Sequence, residues 1–507
     1  MFRPPSQKLR QELPVLGGLA LGLGLLWWRG HALVLDGRVA GYHWPDWMYG
    51  ALNHAHGRHS MLDPFRQPLH SALVGFLSEW TGFLDAALLV AGLSMSLVVL
   101  AAGLTGRWVG GPWTGALAAA AVPLSPIATS GSRWGTGYPL LTGALAIAIA
   151  LSVRAAQKGG GWTLAAGGAA LVATMADERG LLLLLVMSPL LGWRAIRGWT
   201  GRLTLLVVVV GAWTGTQAAP WLGQEHSLSS QQKRSIQTRV VARWATQNKD
   251  KPLVEACQKV PQEVLLTPSY LTTPCAAHVL RNNFQRAIPA TSAWPLWALI
   301  LGLLLLVRPR SIRRSPQAAL LGIGIGIGVL ATAIWTPLPA RYQLVYTAFS
   351  GLLVPLAIGP SLRGTSLRLR AGVPIAALAV VWLLDPHDHE LHPIRGIDAR
   401  WLQPADIAEA VRRVTPPSHR VRDCAGTYSE LALLPDHQSA TGPELSIPNA
   451  APCLSWIQGT SPRVLVVRRG KTLPGRQGQV DISQAVAESE GWRHVDTAAG
   501  VEIWMRP

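Results

Sequence analysis

Long apolar runs separated by short polar connections dominate the first 385 residues of the chain. About 20 mostly apolar residues span a bilayer as a helix, and about 17 can suffice. The pattern therefore predicts an α-helical polytopic membrane protein with about eleven transmembrane helices. The runs lie at 14–35, 85–105, 111–127, 138–153, 161–176, 180–193, 203–222, 293–308, 316–336, 343–361 and 371–385. Glycine and proline make 111–127, 161–176 and 180–193 the weakest of them.

The first run is expected to stay in the membrane as an anchor. No small-residue cleavage site precedes the polar residue Asp36, so the run does not have the pattern of a cleaved signal peptide.

The composition agrees with a membrane protein. Hydrophobic residues make up 49% of the chain and charged residues 14%, where about 25% is usual for a soluble domain. The net charge of +18 could indicate a nucleic-acid partner. Many of the 45 basic residues, however, lie in short connections between apolar runs, and this placement argues against one.

The basic residues also predict an orientation, because Lys and Arg accumulate on the cytoplasmic side of membrane proteins. Arg3, Lys8 and Arg10 indicate a cytoplasmic N-terminus. Eleven crossings then place 106–110, 154–160, 194–202, 308–315 and 362–370 inside, each with basic residues and no Asp or Glu. The long segments 36–84, 223–292 and 386–507 fall outside. The predicted domains are a membrane domain over 1–385 and an extracytoplasmic domain over 386–507.

All four cysteines fall in the outer segments, two in each of two segments. This distribution is typical of an oxidising compartment and predicts the bonds Cys257–Cys275 and Cys424–Cys453. The alternative is four free thiols. The spacing does not resemble the paired C-x-x-C pattern of zinc sites.

The C-terminal tail is predicted to form a small α/β domain. PADIAEAVRRV at 404–414 has helical spacing, and DISQAVAESEG reads as a helix closed by Gly491. VRDCAG, RVLVVRR and GVEIWM read as short strands. The tail has no Gly-rich phosphate loop or nucleophile elbow, so its expected role is structural, or it covers a site at the membrane face.

The first outer segment contains the most informative chemistry. Asp46 is flanked by Trp44 and Trp47, an amphipathic setting near the lipid headgroups. A carboxylate there can act as a base or bind a cation, or it can be a solvated loop residue or helix cap. Asp63 in the same segment is the rival base.

Several motifs resemble those of integral-membrane glycosyltransferases with the GT-C fold. Asp46, Tyr49, Ala51, Gly57 and then Phe65–Leu69 are similar to the first luminal loop of these enzymes. Pro339-Ala340-Arg341-Tyr342 resembles the Arg-Tyr start of a late helix in relatives of protein O-mannosyltransferases and aminoarabinose transferases. The plan of about eleven helices, a long first outer loop and a small outer C-terminal domain is also similar.

The resemblance implies a hexosyl- or pentosyltransferase in the bacterial inner membrane, with its C-terminal domain periplasmic. A polyprenyl-phosphate-linked sugar would be the donor, and a glycan, lipid or protein the acceptor. Asp46 would be the general base. Many relatives have an Asp-Glu pair at this position, whereas Trp47 follows Asp46 here, so the role rests on one carboxylate.

Cations at the outer membrane face would bind the donor phosphate. Since the positive-inside trend disfavours arginine on that side, each arginine there calls for an explanation, and headgroup snorkelling is the alternative. Asp177, Glu178 and Arg179 form a turn that either lines the cavity or is a polar hairpin tip. The predicted substrate-binding residues are Arg66, Arg133, Tyr138, Glu178, Arg179, Arg341 and Tyr342.

Two histidine clusters are weak candidates for a divalent metal site, and no other cofactor is predicted. They comprise His54, His56 and His59, and His387 and His389 with His392, Asp388 and Glu390. Their spacing suits a metal, and the alternative is a solvated juxtamembrane linker.

Two other functions remain open from the sequence. A transporter or flippase tends to have internal repeats and charges within broken helices, whereas here no clear repeat is found and the charges lie at helix ends. A non-catalytic GT-C-like scaffold is compatible with Trp47 in place of a second acid. A ligase for a lipid-linked sugar polymer is a further enzymatic alternative.

Overall fold

A computed structural model describes the parts of the chain discussed below. These are residues 6–35, 69–81, 83–218, 255–257, 260, 268–284, 316–335, 344–345, 404–416, 419–425, 450–459, 463–470, 472–475, 478–498 and 500–507. The predicted runs 293–308 and 371–385, and nearly all of 343–361, lie outside these ranges. The total of eleven crossings therefore stays a prediction.

The membrane part is a bundle of apolar helices, and eight of the predicted runs fall on described helices. The described helices before the C-terminal region, including α2 and α10 of the predicted outer segments, are α1 (Ser6–Leu35), α2 (Leu69–Thr81), α3 (Phe83–Gly110), α4 (Pro112–Ala121), α5 (Pro126–Gly131), α6 (Gly137–Lys158), α7 (Gly161–Ala176), α8 (Leu182–Arg197), α9 (Trp199–Thr216), α10 (Pro274–Asn282) and α11 (Pro316–Trp335).

Length and apolar composition identify membrane-crossing segments among the described helices. Glu12–Gly30, Asp85–Gly110, Gly137–Lys158 and Glu178–Arg197 are long enough to cross a bilayer. Shorter apolar helices lie at Pro112–Leu124, Gly161–Ala176 and Pro316–Ala331. Helix α9 exposes large apolar side chains along its length, namely Leu203, Leu206, Val209, Val210 and Trp213. Such a face is typical of contact with lipid, and the chain is a polytopic membrane protein.

The run at 111–127 is not the single helix that the apolar pattern predicts. Helix α4 ends at Ala121, a 3₁₀ turn spans Val122–Leu124, and α5 begins at Pro126. Prolines 123 and 126 have no N–H to continue the α-helical hydrogen bonds. The Arg29 side chain donates to the Pro123 carbonyl at 2.7 Å, so an acceptor freed by the break is satisfied.

Helices α1 and α3 run in opposite directions. Gly92, near the start of α3, faces Trp27 near the end of α1, whereas Gly103 faces Leu19. The next crossings continue the alternation that the sequence predicts. Helix α4 packs along α1, and α6 packs beside α3. Helix α7 packs on α6 and runs parallel to α9, and α8 packs antiparallel to α9.

The alternation collects the predicted inside connections at one end of the bundle, here called the basic end. Arg107, Arg154, Lys158, Arg194, Arg197 and Arg202 all lie there. Arg107 pairs with Glu12 at the start of the first crossing, with Nε 2.8 Å from the carboxylate. The carboxylate of Glu12 attracts the cation, and this attraction holds α1 and α3 together at this end.

The opposite end holds the final residues of α1, the loop before α6 and the turn between α7 and α8. The Cys257–Cys275 bond joins two described pieces of the second outer segment, with Cα atoms 4.7 Å apart. Just after α10, the Asn283 side chain donates to the Ala333 carbonyl near the end of α11 at 2.7 Å. The disulfide-bearing segment is therefore fixed at this end, away from the basic end.

The C-terminal region forms the predicted α/β structure. Helices α12 (Pro404–Val414), α13 (Ala450–Gln458) and α14 (Ile482–Ala487) accompany strands β1 (Val421–Asp423), β2 (Val464–Arg468), β3 (Thr472–Gly475), β4 (Gly478–Asp481), β5 (Arg493–Ala498) and β6 (Val501–Met505). The main sheet has the order β1-β2-β6-β5, with β1 parallel to β2 and the other pairs antiparallel. Strands β3 and β4 pair separately.

Apolar side chains of the sheet pack on both of its faces. Val464 and Val466 belong to a cluster with α12, whereas Leu465 and Val467 belong to one with α13 and α14. Cys424 and Cys453 form the second predicted bond, which ties the end of β1 to α13.

The C-terminal region differs from the predicted one in one helix end and in three strands. Helix α14 ends at Ala487, four residues before the predicted stop at Gly491, and the Asp481 side chain caps its start. Strand β5 and the β3–β4 pair were not predicted. The proposed domain boundary at 385/386 lies outside the described residues and stays a prediction.

Helices α7 and α9 cross closely because glycines face each other across the contact. A Cβ on Gly211 would lie 2.2 Å from the Gly167 carbonyl oxygen, and a Cβ on Gly167 would lie 2.5 Å from the side chain of Val207. The hydroxyls of Thr163 and Thr204 are 3.0 Å apart nearer the basic end. Small residues and a hydroxyl pair are the devices that hold membrane helices together.

We expect Gly167→Ala to destabilise the protein by about 1–3 kcal/mol, because the added methyl overpacks this crossing. Gly168→Ala is the matched control, since a Cβ there meets nothing within 4 Å. Thermal unfolding in one detergent would measure both. Equal melting temperatures for the two variants would contradict the close crossing.

Candidate functional site

Arg133 lies in a short loop at the opposite end of the bundle, between α5 and α6. Its backbone N–H donates to the Ser130 carbonyl at 3.0 Å, and the Ser132 hydroxyl donates to the Thr129 carbonyl at 2.7 Å. The next residue, Trp134, is buried. The loop is thus held by its own turn and by an anchored indole, so the position of Arg133 is well defined.

Helix α1 supplies the surface on which the Arg133 side chain lies. The guanidinium carbon is 5.0 Å from the centre of the Trp27 ring. The Trp27 indole N–H donates to the Ser96 hydroxyl at 3.0 Å, and Ser96 donates to the Gly92 carbonyl at 2.8 Å. The ring is therefore fixed by α3 while its face attracts the cation.

Gly30 leaves room for this arrangement. A Cβ at this position would lie 2.9 Å from both the Arg133 Nε and the Ser132 hydroxyl. One turn of α1 therefore carries an aromatic support at Trp27 and a gap at Gly30, and together they form the seat of Arg133.

The charge of Arg133 is partly withdrawn from water without a counter-charge in the described part of the chain. Its Nε is buried and finds no hydrogen-bond acceptor among the described residues. Burial lowers the pKa of Arg133. A guanidinium in this condition gains strongly from an anion that supplies oxygen acceptors, and phosphate matches its planar donor geometry.

Tyr138 and Arg179 form a second pair at the same end. Tyr138 is buried in the first turn of α6, five residues after Arg133, and the Arg179 guanidinium lies 5.6 Å from its ring centre. The pair joins the loop before α6 to the turn between α7 and α8. Arg133 and Arg179 therefore both lie near the start of α6.

Asp177 shapes that turn rather than standing free. It accepts a hydrogen bond from the Arg179 N–H at 2.9 Å and caps the 3₁₀ turn Glu178–Leu181. Its second oxygen lies 3.7 Å from the Arg179 guanidinium. Gly180 is required here, since a Cβ would meet the Ala173 carbonyl at 2.4 Å. Of the two acidic residues in the turn, Glu178 is the exposed one.

The structure therefore brings Arg133, Tyr138, Glu178 and Arg179 to one end of the bundle. The other predicted site residues lie outside the described residues: Asp46, Asp63, Arg66, Arg341, Tyr342, His54, His56, His59, His387, His389 and His392. No group of three or more potential metal ligands occurs within the described ranges. The metal-binding hypothesis rests on histidines beyond those ranges and stays untested.

Leu344 is a described residue close in sequence to two of these candidates. It is fully buried, and a Cβ on Gly131 would lie 2.5 Å from its side chain. Gly131 directly precedes the loop of Arg133. The chain just after Arg341 and Tyr342 therefore contacts the α5 side of the site.

Sequence reasoning missed Trp27 and Ser96. Trp27 and Trp28 form a pair near the end of an apolar run, where interfacial aromatics are common. Trp28 is 68% exposed, whereas Trp27 turns inward to Ser96 and Arg133. The two serines inside the apolar run of α3, Ser94 and Ser96, were the signal that an inward-facing polar partner existed.

His70 is a further residue that the sequence did not single out. It lies in the first turn of α2 and is fully buried. Helix α2 packs against α3, α6 and α7. Burial lowers the pKa of His70 to about 3, so the imidazole is neutral in the folded protein at physiological pH.

No protein-family model and no curated protein matches the sequence. Solved structures do match by fold. ArnT from Cupriavidus metallidurans in the apo state aligns with a TM-score of 0.55 and 15% identity, over 94% of this chain and 96% of that chain. The same protein bound to undecaprenyl phosphate aligns with a TM-score of 0.56 and 14% identity, over 97% of each chain.

An oligosaccharyltransferase from Archaeoglobus fulgidus gives a weaker likeness. Its TM-score is 0.45 at 12% identity, over 87% of this chain and 67% of that chain. The ArnT alignments cover nearly all of both chains. They show that this chain has the GT-C fold of integral membrane glycosyltransferases, as the sequence motifs predicted.

The burial of His70 predicts a loss of stability in acid. Its folded pKa of about 3 lies below the unfolded value of 6.5, so the unfolded state binds the proton more readily. The contribution is complete above pH 6.5 and falls as pH drops toward 3, by about 2 kcal/mol at pH 5.

His70→Gln removes this titration, so the variant should lose less stability than wild type between pH 7 and pH 5. His494→Gln, at an exposed position, is the control. Unfolding midpoints across the pH range would measure the effect. An unchanged pH slope in His70→Gln would show that His70 does not control it.

Proposed function

We propose that the chain is a membrane glycosyltransferase that moves a sugar from a polyprenyl-phosphate donor to an acceptor outside the cytoplasm. The observation that carries the proposal is the seat of Arg133, where a half-buried guanidinium is held on Trp27 with no carboxylate partner in the described residues. It lies at one end of a bundle with the GT-C fold.

A lipid-linked phosphate is the anion that best suits this position. The arginine is presented at the end of apolar helices, so a bound molecule can place its phosphate on the cation and its hydrocarbon tail against the bundle. The neighbouring Arg179 has part of its charge balanced by Asp177, so Arg133 is the stronger of the two as a phosphate ligand. The ArnT structure with bound undecaprenyl phosphate supports this class of donor.

Arg341, Tyr342 and Arg66 are proposed to complete the donor site. The contact between Leu344 and Gly131 supports Arg341 and Tyr342, because these residues precede Leu344 closely and Gly131 precedes the Arg133 loop. Arg66 is three residues from the start of α2, which packs on α6 and α7. The exposed Glu178 is proposed to line the acceptor side.

In the proposed mechanism Asp46 is the general base. Its carboxylate takes the proton of the acceptor hydroxyl or amine as that atom attacks the anomeric carbon. The bond between this carbon and the phosphate oxygen breaks, and the electron pair leaves with polyprenyl phosphate. Arginines stabilise the charge on the leaving phosphate. A single displacement of this kind inverts the anomeric centre, and one base suffices without a covalent intermediate.

The proposed setting is the bacterial inner membrane, with the N-terminus cytoplasmic and the C-terminal domain periplasmic. Gathering of the predicted cytoplasmic connections at the basic end supports this orientation. The Cys257–Cys275 bond near the opposite end supports an oxidising compartment there.

We expect Arg133→Gln to weaken binding of undecaprenyl phosphate by about 10- to 100-fold, because one charge-assisted contact is lost. Trp27→Ala should weaken it several-fold, since a cation–π contact of about 0.5–2 kcal/mol holds the guanidinium in place. Trp27→Phe should restore part of the affinity.

Trp28→Ala is the matched control, because Trp28 is the next residue on the same helix and is mostly exposed. A titration of the purified protein with undecaprenyl phosphate measures all four variants. The donor site is misassigned if Arg133→Gln binds as wild type does, or if Trp28→Ala loses as much affinity as Trp27→Ala.

Asp46→Asn should lower turnover by about 10²–10⁴ while donor binding changes little, because the amide keeps the size of the side chain but cannot take a proton. The assay needs a lipid-linked sugar that the wild type consumes. Asp63→Asn is the comparison. Near-normal turnover by Asp46→Asn beside an inactive Asp63→Asn would assign the base to Asp63. A wild type that binds the lipid but consumes no donor tested would favour a flippase or a scaffold.

A further inference from the structure

The last turn of α8, at the basic end, carries two arginines that share one aromatic ring. The Arg197 guanidinium lies 4.1 Å from the centre of the Trp193 ring, and the Arg194 guanidinium lies 5.2 Å from it. Attraction to one indole therefore holds two like charges next to the same ring. Like charges repel each other, so an anion between them would relieve the repulsion.

No carboxylate in the described residues at the basic end is available to supply that charge. Glu12 is engaged with Arg107. The connections before α4, α7 and α9 contain no Asp or Glu. Arg194 is half-buried, and its buried Nε finds no acceptor among the described residues.

The other arginines nearby have different surroundings, although the buried Nε of Arg154 also finds no acceptor among the described residues. The Arg202 Nε donates to the Ala195 carbonyl at 3.1 Å. Arg154 lies 5.2 Å from the Trp108 ring centre and 5.6 Å from that of Trp162. The Arg194–Arg197 pair thus differs from its neighbours in presenting two guanidinium groups together.

Exposed apolar side chains adjoin the pair. Ile196, in the last turn of α8, is 83% exposed, and Trp199, the first residue of α9, is 73% exposed. A small soluble anion would leave these side chains uncovered. An anion attached to hydrocarbon would cover them while its phosphate contacts the arginines, and a tryptophan at this level is typical of the membrane interface.

We propose that Arg194 and Arg197 bind the phosphate of an anionic phospholipid headgroup, with Ile196 and Trp199 against the adjoining hydrocarbon. This site is separate from the seat of Arg133, which lies at the other end of the bundle. Lipid binding here does not depend on glycosyl transfer.

Native mass spectrometry of the full chain in mild detergent tests the proposal. The probes are phosphatidylglycerol and phosphatidylcholine with identical acyl chains. The test variant is Arg194→Gln/Arg197→Gln. The matched control is Arg154→Gln/Lys158→Gln, which removes the same charge at the same end of the bundle.

The wild type should retain phosphatidylglycerol at least about tenfold more tightly than phosphatidylcholine, because Arg–phosphate contacts are charge-assisted. The test variant should lose this preference, and the control should keep it. Equal retention of the two lipids by the wild type would overturn the proposal. So would an unchanged preference in the test variant, or an equal loss in the control, which would indicate general electrostatic attraction instead.

Discussion

The cost of placing charge in hydrocarbon is the constraint on which this structure depends. An ionised side chain at the centre of a bilayer helix costs at least about 2.5–3.5 kcal/mol. The arginines in the described bundle with recorded contacts lie near helix ends, and each contacts an aromatic face, a carbonyl or a carboxylate; they are Arg29, Arg107, Arg133, Arg154, Arg179, Arg194, Arg197 and Arg202. At the basic end this gives the Glu12–Arg107 pair and the indoles around Arg154 and Arg194. At the opposite end it gives the seat of Arg133.

The same constraint explains why the arginines at the two ends of the bundle have different roles. In the proposed orientation, cations at the basic end agree with the positive-inside trend. Arginine at the opposite end would oppose that trend, so its position there has to be stabilised by the protein itself. Trp27 and Gly30 do this for Arg133, and Asp177 and Tyr138 do it for Arg179. Arginines held in this way are suited to an anionic ligand at this end of the bundle.

Much of the fold could be predicted from the sequence because membrane helices and disulfides leave strong local signals. Hydropathy located the described crossings, and cysteine placement predicted both bonds. The sequence contains Pro123 and Pro126, but the run 111–127 was predicted to be one helix. Composition alone does not show where the helical hydrogen bonds end. Strand β5 was missed because Arg493 to Ala498 is mostly polar and is defined by pairing with β6, a long-range property.

The candidate site was predictable only in part. Arg133 and Arg179 were identifiable because arginine is unexpected at outer helix ends. Trp27, the residue that supports Arg133, could not be identified in this way. The sequence does not show that Trp27, and not Trp28, is on the side of α1 that packs against α3. Asp177 was read as a possible cavity residue, whereas the structure uses its carboxylate to cap a turn and balance Arg179.

The seat of Arg133 has a consequence for biosynthesis. Trp27 in α1 is made before Arg133, which follows roughly one hundred residues later. At about 5–20 residues per second, the ribosome needs about 5–20 s to bridge that interval. During this time α1 lacks the cation that Trp27 and Gly30 accommodate. The cation is made after α3 and the proline-broken run of α4 and α5, so the contact between Trp27 and Arg133 can form only after these segments exist. A defect in the broken run would leave Trp27 with its Ser96 hydrogen bond but without the cation on its ring.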